Sequence, residues 1–95
     1  MLLTKYITPG DIVSLKLTNG DELIARFESD TTDEIKINRP LAITASSQGL
    51  GMMPWMFLGD SDNITLKRNH VFVIMPSKKD AADQYIQGTT GIALR

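Results

Sequence analysis

Residues 11–40 read DIVSLKLTNGDELIARFESDTTDEIKINRP, three runs of alternating polarity separated by two polar turns. Val13, Leu15 and Leu17 alternate with Ser14, Lys16 and Thr18. Leu23, Ala25 and Phe27 then alternate with Ile24, Arg26 and Glu28, and Ile35 and Ile37 resume the same period of two. That period belongs to half-buried strands. Asn19-Gly20 offers the two residues with positive φ that a tight two-residue hairpin requires, and residues 30–33, Asp-Thr-Thr-Asp, make the second turn. The expectation is a three-strand antiparallel meander with one face in a core and the other in water.

Outside the meander the signals are shorter. Residues 2–7 suit either a short helix or a lead-in strand, ended by the turn Pro9-Gly10-Asp11. Leu41, Ile43 and Ala45 keep the odd-numbered parity of Ile35 and Ile37, so the third strand is expected to run past Pro40. Arg39 breaks that parity, and Pro40 suits an edge or a bulge. After the turn-forming residues 46–51 comes the most apolar run of the chain, residues 52–58, MMPWMFL. One reading has Trp55 and Phe57 closing the core from a long hairpin. The other makes Met52, Met53, Trp55 and Phe57 a contact surface for a second protein.

Asp60 and Asp62 have the spacing of the first two ligands of a calcium loop. The later positions hold Ile64, Thr65 and Val71 where that loop needs an oxygen ligand, a glycine and a glutamate, so a turn is expected. Residues 64–67 form a strand with Ile64 and Leu66 inward. Residues 70–75, HVFVIM, form another that is apolar on both faces: Val71, Val73 and Met75 serve one side, and Phe72 and Ile74 need cover from elsewhere. Pro76 ends it. Ser77 has the place of an N-cap with Asp80 three residues on, which predicts a helix over 78–87 with Ala81, Ala82, Tyr85 and Ile86 on one stripe and Gly88 as its stop. Residues 89–95 are a tail or a short strand.

With 95 residues the chain is expected to be one domain. A domain of this size buries only about 60–65% of the surface of its unfolded chain, and with no cysteine for a disulfide its extra support is expected from oligomerisation. The opening MLLTKY is too short for a secretory leader and no run approaches a membrane span, so the expectation is a cytoplasmic protein with no membrane partner. Ten basic and eleven acidic residues leave a net charge of -1, which gives no general attraction to polyanions. Catalysis has little to stand on. His70 opens an apolar strand with no activated nucleophile nearby in sequence, so it is read as a structural or pocket-edge imidazole, and no cofactor or metal is expected.

Two stretches taken together resemble the Sm and Sm-like superfamily, the bacterial Hfq branch included. Residues 13–29, with Val13-x-Leu15-Lys16-Leu17-x-Asn19-Gly20 and then Leu23, Ala25, Phe27 and Ser29, resemble the first Sm motif. Residues 67–77, KRNHVFVIMPS, resemble the second. A looser similarity is to phage-encoded Sm-like proteins. The resemblance implies a small, strongly bent, five-stranded antiparallel barrel of the SH3 type over residues 11–76; with the lead-in over 1–10, the helix over 77–88 expected on the open end, and the tail over 89–95, the expected fold is all-β with a short terminal helix. It implies a homo-oligomeric ring, pentamer to heptamer, joined by strand edges at Thr65, Lys67, Val71, Phe72, Val73 and Ile74. It also implies single-stranded RNA bound at the ring pore by Arg68, Asn69 and His70 with Thr32 and Asp33.

The chain departs from that pattern in three places: the N-terminal helix usual in the family is at best a stub, the helix predicted after Ser77 being expected in its place, and two further departures lie in the meander. Ala25 stands where the family commonly has glycine, and the turn that reads RNA in the family holds Asp30, Asp33 and Glu34 with no stacking group. The alternative function is therefore a ring that binds no nucleic acid and holds a protein partner on the Met52, Met53, Trp55 and Phe57 surface.

Overall fold

The computed structural model describes residues 7–90; the expectations for residues 2–6 and for the end of the tail lie outside the described residues. Six strands and one helix follow in order: β1 (Ile12–Leu17), β2 (Glu22–Asp30), β3 (Glu34–Ser46), β4 (Gly49–Pro54), β5 (Asn63–Lys67), β6 (Val71–Pro76) and α1 (Lys79–Thr90). All pairings are antiparallel. The sheet runs β4-β3-β2-β1-β6, with β5 added to the first half of β3, and this path does not close on itself among the described residues. The sequence predicts five strands. The sixth arises because the long return to β3 is split: β4 pairs with residues 41–46 and β5 with residues 34–38, separated by the apolar loop. Among the described residues no helix is long and apolar enough to cross a membrane.

The meander forms as its alternation dictates. Val13, Leu15, Leu17, Leu23, Ala25, Phe27, Ile35 and Ile37 are buried in one cluster with Leu66 and Ile74, and Ile64, Val71 and Trp55 pack against it. The first turn differs from the tight hairpin expected. Only Gly20 has positive φ, at 99°, and Asn19 does not. The N–H of Gly20 donates to the Leu17 carbonyl at 3.0 Å and the N–H of Leu17 to the Asp21 carbonyl at 2.8 Å, a three-residue loop with glycine in the left-handed position.

Three bulges reassign faces that parity alone misplaces, because one extra residue inverts every side chain beyond it. The first lies on β3, where Arg39 and Pro40 together oppose Ala25 and Arg39 takes a φ of 51°. Beyond it Pro40 is buried and Ala42 packs on the main core, while Leu41 and Ile43 turn to the opposite face. The expectation that Leu41, Ile43 and Ala45 continue the face of Ile35 and Ile37 is thus corrected.

The second bulge is at Phe72 on β6, since Leu17 pairs with Val71 and Lys16 with Val73. Ile74, expected to need outside cover, lies in the core at 4% exposure; Phe72 stands out at 78% and Met75 at 46%. The third, at Glu28 on β2, turns Asp30 to the side of its partner Ile35.

The face expected to be wet is covered in part. Ile12 and Ile24 form a second cluster with Tyr85, and Leu41, Ile43, Met52, Ala81 and Ala82 pack around it. Ile24, placed among the solvent-facing residues by parity, is therefore buried under α1 at 1% exposure. The helix also differs at both ends. Ser77 does not cap it: its hydroxyl shares a 2.7 Å hydrogen bond with that of Ser14, and its N–H donates to Ile12. At the other end the helix passes through Gly88, the predicted stop, to Thr90.

Candidate functional site

Two segments far apart in sequence meet at one end of the sheet: the β2–β3 turn and the single 3-10 turn Arg68–His70 that joins β5 to β6. The first is shaped by its own side chains. The Thr31 hydroxyl accepts the N–H groups of Asp33 at 3.2 Å and Glu34 at 3.1 Å, and the Thr31 N–H donates to the Glu34 carbonyl at 2.9 Å. The second is docked onto it by a main-chain bond of 2.7 Å from the Arg68 N–H to the Asp33 carbonyl. Thr32, Asp33, Lys67, Arg68 and Asn69 line an open concavity of about 490 Å³ between them.

Four of the five residues predicted for RNA contact therefore converge. His70 is not among the lining residues; it belongs to the 3-10 turn rather than to the following strand, its side chain is exposed, and its carbonyl accepts the Thr18 N–H at 2.9 Å.

The electrostatics of the concavity differ from what the three carboxylates Asp30, Asp33 and Glu34 imply when the turn is read alone. The Arg68 guanidinium donates through Nε and Nη2 to the Thr31 carbonyl at 3.2 and 2.8 Å, and Nη2 also pairs with the Asp30 carboxylate. Both side chains of that pair are about three-quarters covered, at 25% and 28% exposure. The Glu28 bulge is what brings Asp30 within reach. Lys67 reaches Glu34 at 3.4 Å in a more exposed pair. Two of the three carboxylates are thus matched by the two cations of the site. What remains to face a ligand is uncharged donor and acceptor chemistry from Thr32 and Asn69, together with the carboxylate of Asp33, which lines the same concavity.

The predicted subunit-contact residues occupy two free edges. Thr65 and Lys67 lie on β5, which pairs only with β3; Val71, Phe72, Val73 and Ile74 lie on β6, which pairs only with β1 among the described residues. Ile74 is committed to the core, so an edge contact there falls to Phe72, the half-buried Val71 and Val73, and the backbone.

The apolar run divides likewise. Trp55 packs against the core and its indole N–H donates to Asp21 at 3.1 Å, which ties the loop to the first hairpin. Met52 sits in the cluster under α1. Met53 and Phe57 are exposed at 42% and 68%. Leu50, Met56 and Leu58, which sequence reasoning did not single out for this surface, are exposed at 74%, 52% and 98%. The signal for all of them is one fact of composition: residues 40–59 contain no charged side chain in a chain that is 22% charged.

Asp62, the second member of the weak calcium-loop signal, has a structural task. Its carbonyl accepts the Arg39 N–H at 2.8 Å and its carboxylate accepts Arg39 Nε at 3.1 Å. No protein-family model matches this chain, and a search of curated proteins returns no match.

Proposed function

We propose that this chain is the subunit of a cytoplasmic Sm-like ring, a bent barrel of the SH3 type that takes single-stranded RNA at the concavity between the β2–β3 turn and the Arg68–His70 turn. The observation that supports it is the convergence of Thr32, Asp33, Arg68 and Asn69 on that one concavity. Because Arg68 and Lys67 are already paired, the contact made is to base edges through the Thr32 hydroxyl and the Asn69 amide, with few phosphates neutralised. The ring is joined through the free edges of β5 and β6, around Thr65 and Phe72.

Fluorescence anisotropy with short oligo(U) and oligo(A) tests the reading. Binding with a shallow salt dependence, weakened about tenfold or more by Asn69→Ala, is the expected result. No binding by the assembled protein at low salt overturns it.

A second reading is favoured by the exposure of Met56, Phe57 and Leu58: a ring without nucleic acid that holds a protein partner on this loop. Phe57→Ser and Leu58→Ser are the substitutions that test it, by loss of a co-purifying protein. Trp55→Ala is a poor choice because it also breaks the Asp21 tie.

A further inference from the structure

The strand β4 has a feature that neither reading above uses. It pairs only with β3, so its other edge leaves a row of main-chain donors and acceptors open among the described residues. Sheet edges of this kind are commonly guarded by lysine, by other charges or by proline. Here the six residues Gly49–Pro54 contain no charge, and the only proline is the last of them. The charge-free stretch extends well beyond the strand on both sides.

We propose that the outer edge of β4 pairs with the same edge of a second copy of this chain, antiparallel about a two-fold axis. The absence of charge is what makes the edge compatible with itself, since any charge near the axis would meet its own sign. The side-chain pattern then restricts the register. Residues opposed across an antiparallel pair lie on the same face, so a two-fold normal to the sheet must pass through a residue position.

Leu50 and Met52 share the α1 face, as their β3 partners Ala45 and Ile43 require, and Gly49, Gly51 and Met53 share the other. Centring the axis on Gly51 sets Leu50 against Met52 on the α1 face and Gly49 against Met53 on the opposite face. Each bulky residue of the second pair meets a glycine, and two glycines meet at the axis. Pro54, which has no N–H to give, falls outside the paired residues. Centring on Met52 instead brings Pro54 opposite Leu50.

The Leu50 side chain of the second copy also finds a largely apolar seat, which Glu22, Lys78 and Asp80 border as well. Leu50 and Met52 border a groove of about 420 Å³ that Ile24, Ile43 and Met75 also line. The pairing is distinct from the β5 and β6 edges of the proposed ring and does not depend on them.

The test is the mass of the full chain by sedimentation equilibrium, at concentrations from about 1 to 100 µM, together with amide hydrogen exchange of Leu50 and Met52, whose N–H groups point away from β3 because that of Trp55 bonds to Pro40. The proteins are the wild type, Leu50→Lys, Phe72→Asp and the double variant. Phe72→Asp disables the ring edge and is expected to leave a dimer, whose β4 amides are protected at high concentration. Leu50→Lys in that background is expected to give a monomer with unchanged circular dichroism, association weakened about tenfold or more, and β4 protection lost.

A Phe72→Asp protein that is monomeric throughout, or a mass indifferent to Leu50→Lys, overturns the proposal. So does a β4 edge protected by a co-purified protein with a single copy of this chain. Failure of the ring reading looks different: the wild type and Phe72→Asp then have the same dimeric mass.

Discussion

The hydroxyl of Tyr85 stands 2.9 Å from the main-chain carbonyl oxygen of Arg39, and at the same distance from that of Asn38. Arg39 is the one described residue other than glycine with positive φ. The helix thus supplies a donor where the β3 bulge frees carbonyl groups from the ladder. Arg39 answers by donating from Nη1 to the Thr89 carbonyl in the last turn of the helix, at 2.6 Å. Tyr85→Phe removes the hydroxyl and keeps the ring, so a loss of about 1–2 kcal/mol is expected in urea melts, against about 3–5 for Tyr85→Ala.

The same hydroxyl sets an alkaline limit. Burial pushes the Tyr85 pKa above its ordinary value of 10.0, with Asp62 assisting and the nearby Arg26 and Arg39 pulling the other way. A folded-state pKa above the unfolded value gives a contribution that is fully present below pH 10 and is lost as the pH rises through the raised value. Wild-type stability is therefore expected to fall above pH 10 more steeply than that of Tyr85→Phe. Equal slopes in denaturant melts over that range count against a buried, protonated hydroxyl.

Arg39 carries a backbone cost and side-chain contacts that oppose it. A residue with a Cβ in the left-handed region costs about 1–2 kcal/mol relative to glycine. Arg39→Ala keeps that cost and loses the contacts to Asp62 and Thr89, whereas Arg39→Gly loses the contacts and relieves the strain. The glycine variant is expected to be the more stable of the two by about 1 kcal/mol, a difference of roughly 4–8 °C in Tm for a domain of this size.

At the other end of β5 from Asp62, Arg68 acts as a fork, with Nε and Nη2 on the Thr31 carbonyl and Nη2 also on Asp30. Lysine has the charge without the fork. Arg68→Lys is expected to lose most of what Arg68→Ala loses, about 1–2 kcal/mol, and both are expected to loosen amide protection in the β2–β3 turn. Full rescue by lysine would mean that charge alone holds the two turns together.

These cases show where the sequence is legible and where it is not. Val13 to Leu17 and Leu23 to Phe27 alternate without interruption in sequence and structure, and the meander is plain from them alone. The second turn is equally plain, but its meeting with Arg68 and Asn69 is implied only by the family resemblance, and the 3-10 turn that carries them has no signature in the alternation. What the alternation cannot show is a bulge, whose extra residue has no signature until the partner strand is known. The faces of Leu41, Ile43, Ile74 and Met75 differ from the parity reading for that reason, while Phe72 stands outside the core as that reading had it. The pairing of Asp30 with Arg68 was hidden by the Glu28 bulge in the same way, so a turn that reads as acidic is in fact largely neutralised. Ile24 had a different cause: its cover comes from a helix more than fifty residues later in the chain.

Phe72 and Ile74 give the sharpest check on the inverted parity of β6. They are two residues apart and would share a face in a regular strand, yet one is 78% exposed and the other 4%. Ile74→Ala empties a packed site among Val13, Leu15 and their neighbours and is expected to cost about 2–4 kcal/mol. Phe72→Asp touches no core contact, so the stability of a single chain is expected to change by no more than about 0.5 kcal/mol. Its effect should fall instead on the assembled mass, because the ring reading makes this side chain the apolar contact of the β6 edge. Urea melts and light scattering on the two variants separate these outcomes. A Phe72→Asp protein that unfolds as readily as Ile74→Ala would return Phe72 to the core and remove the bulge.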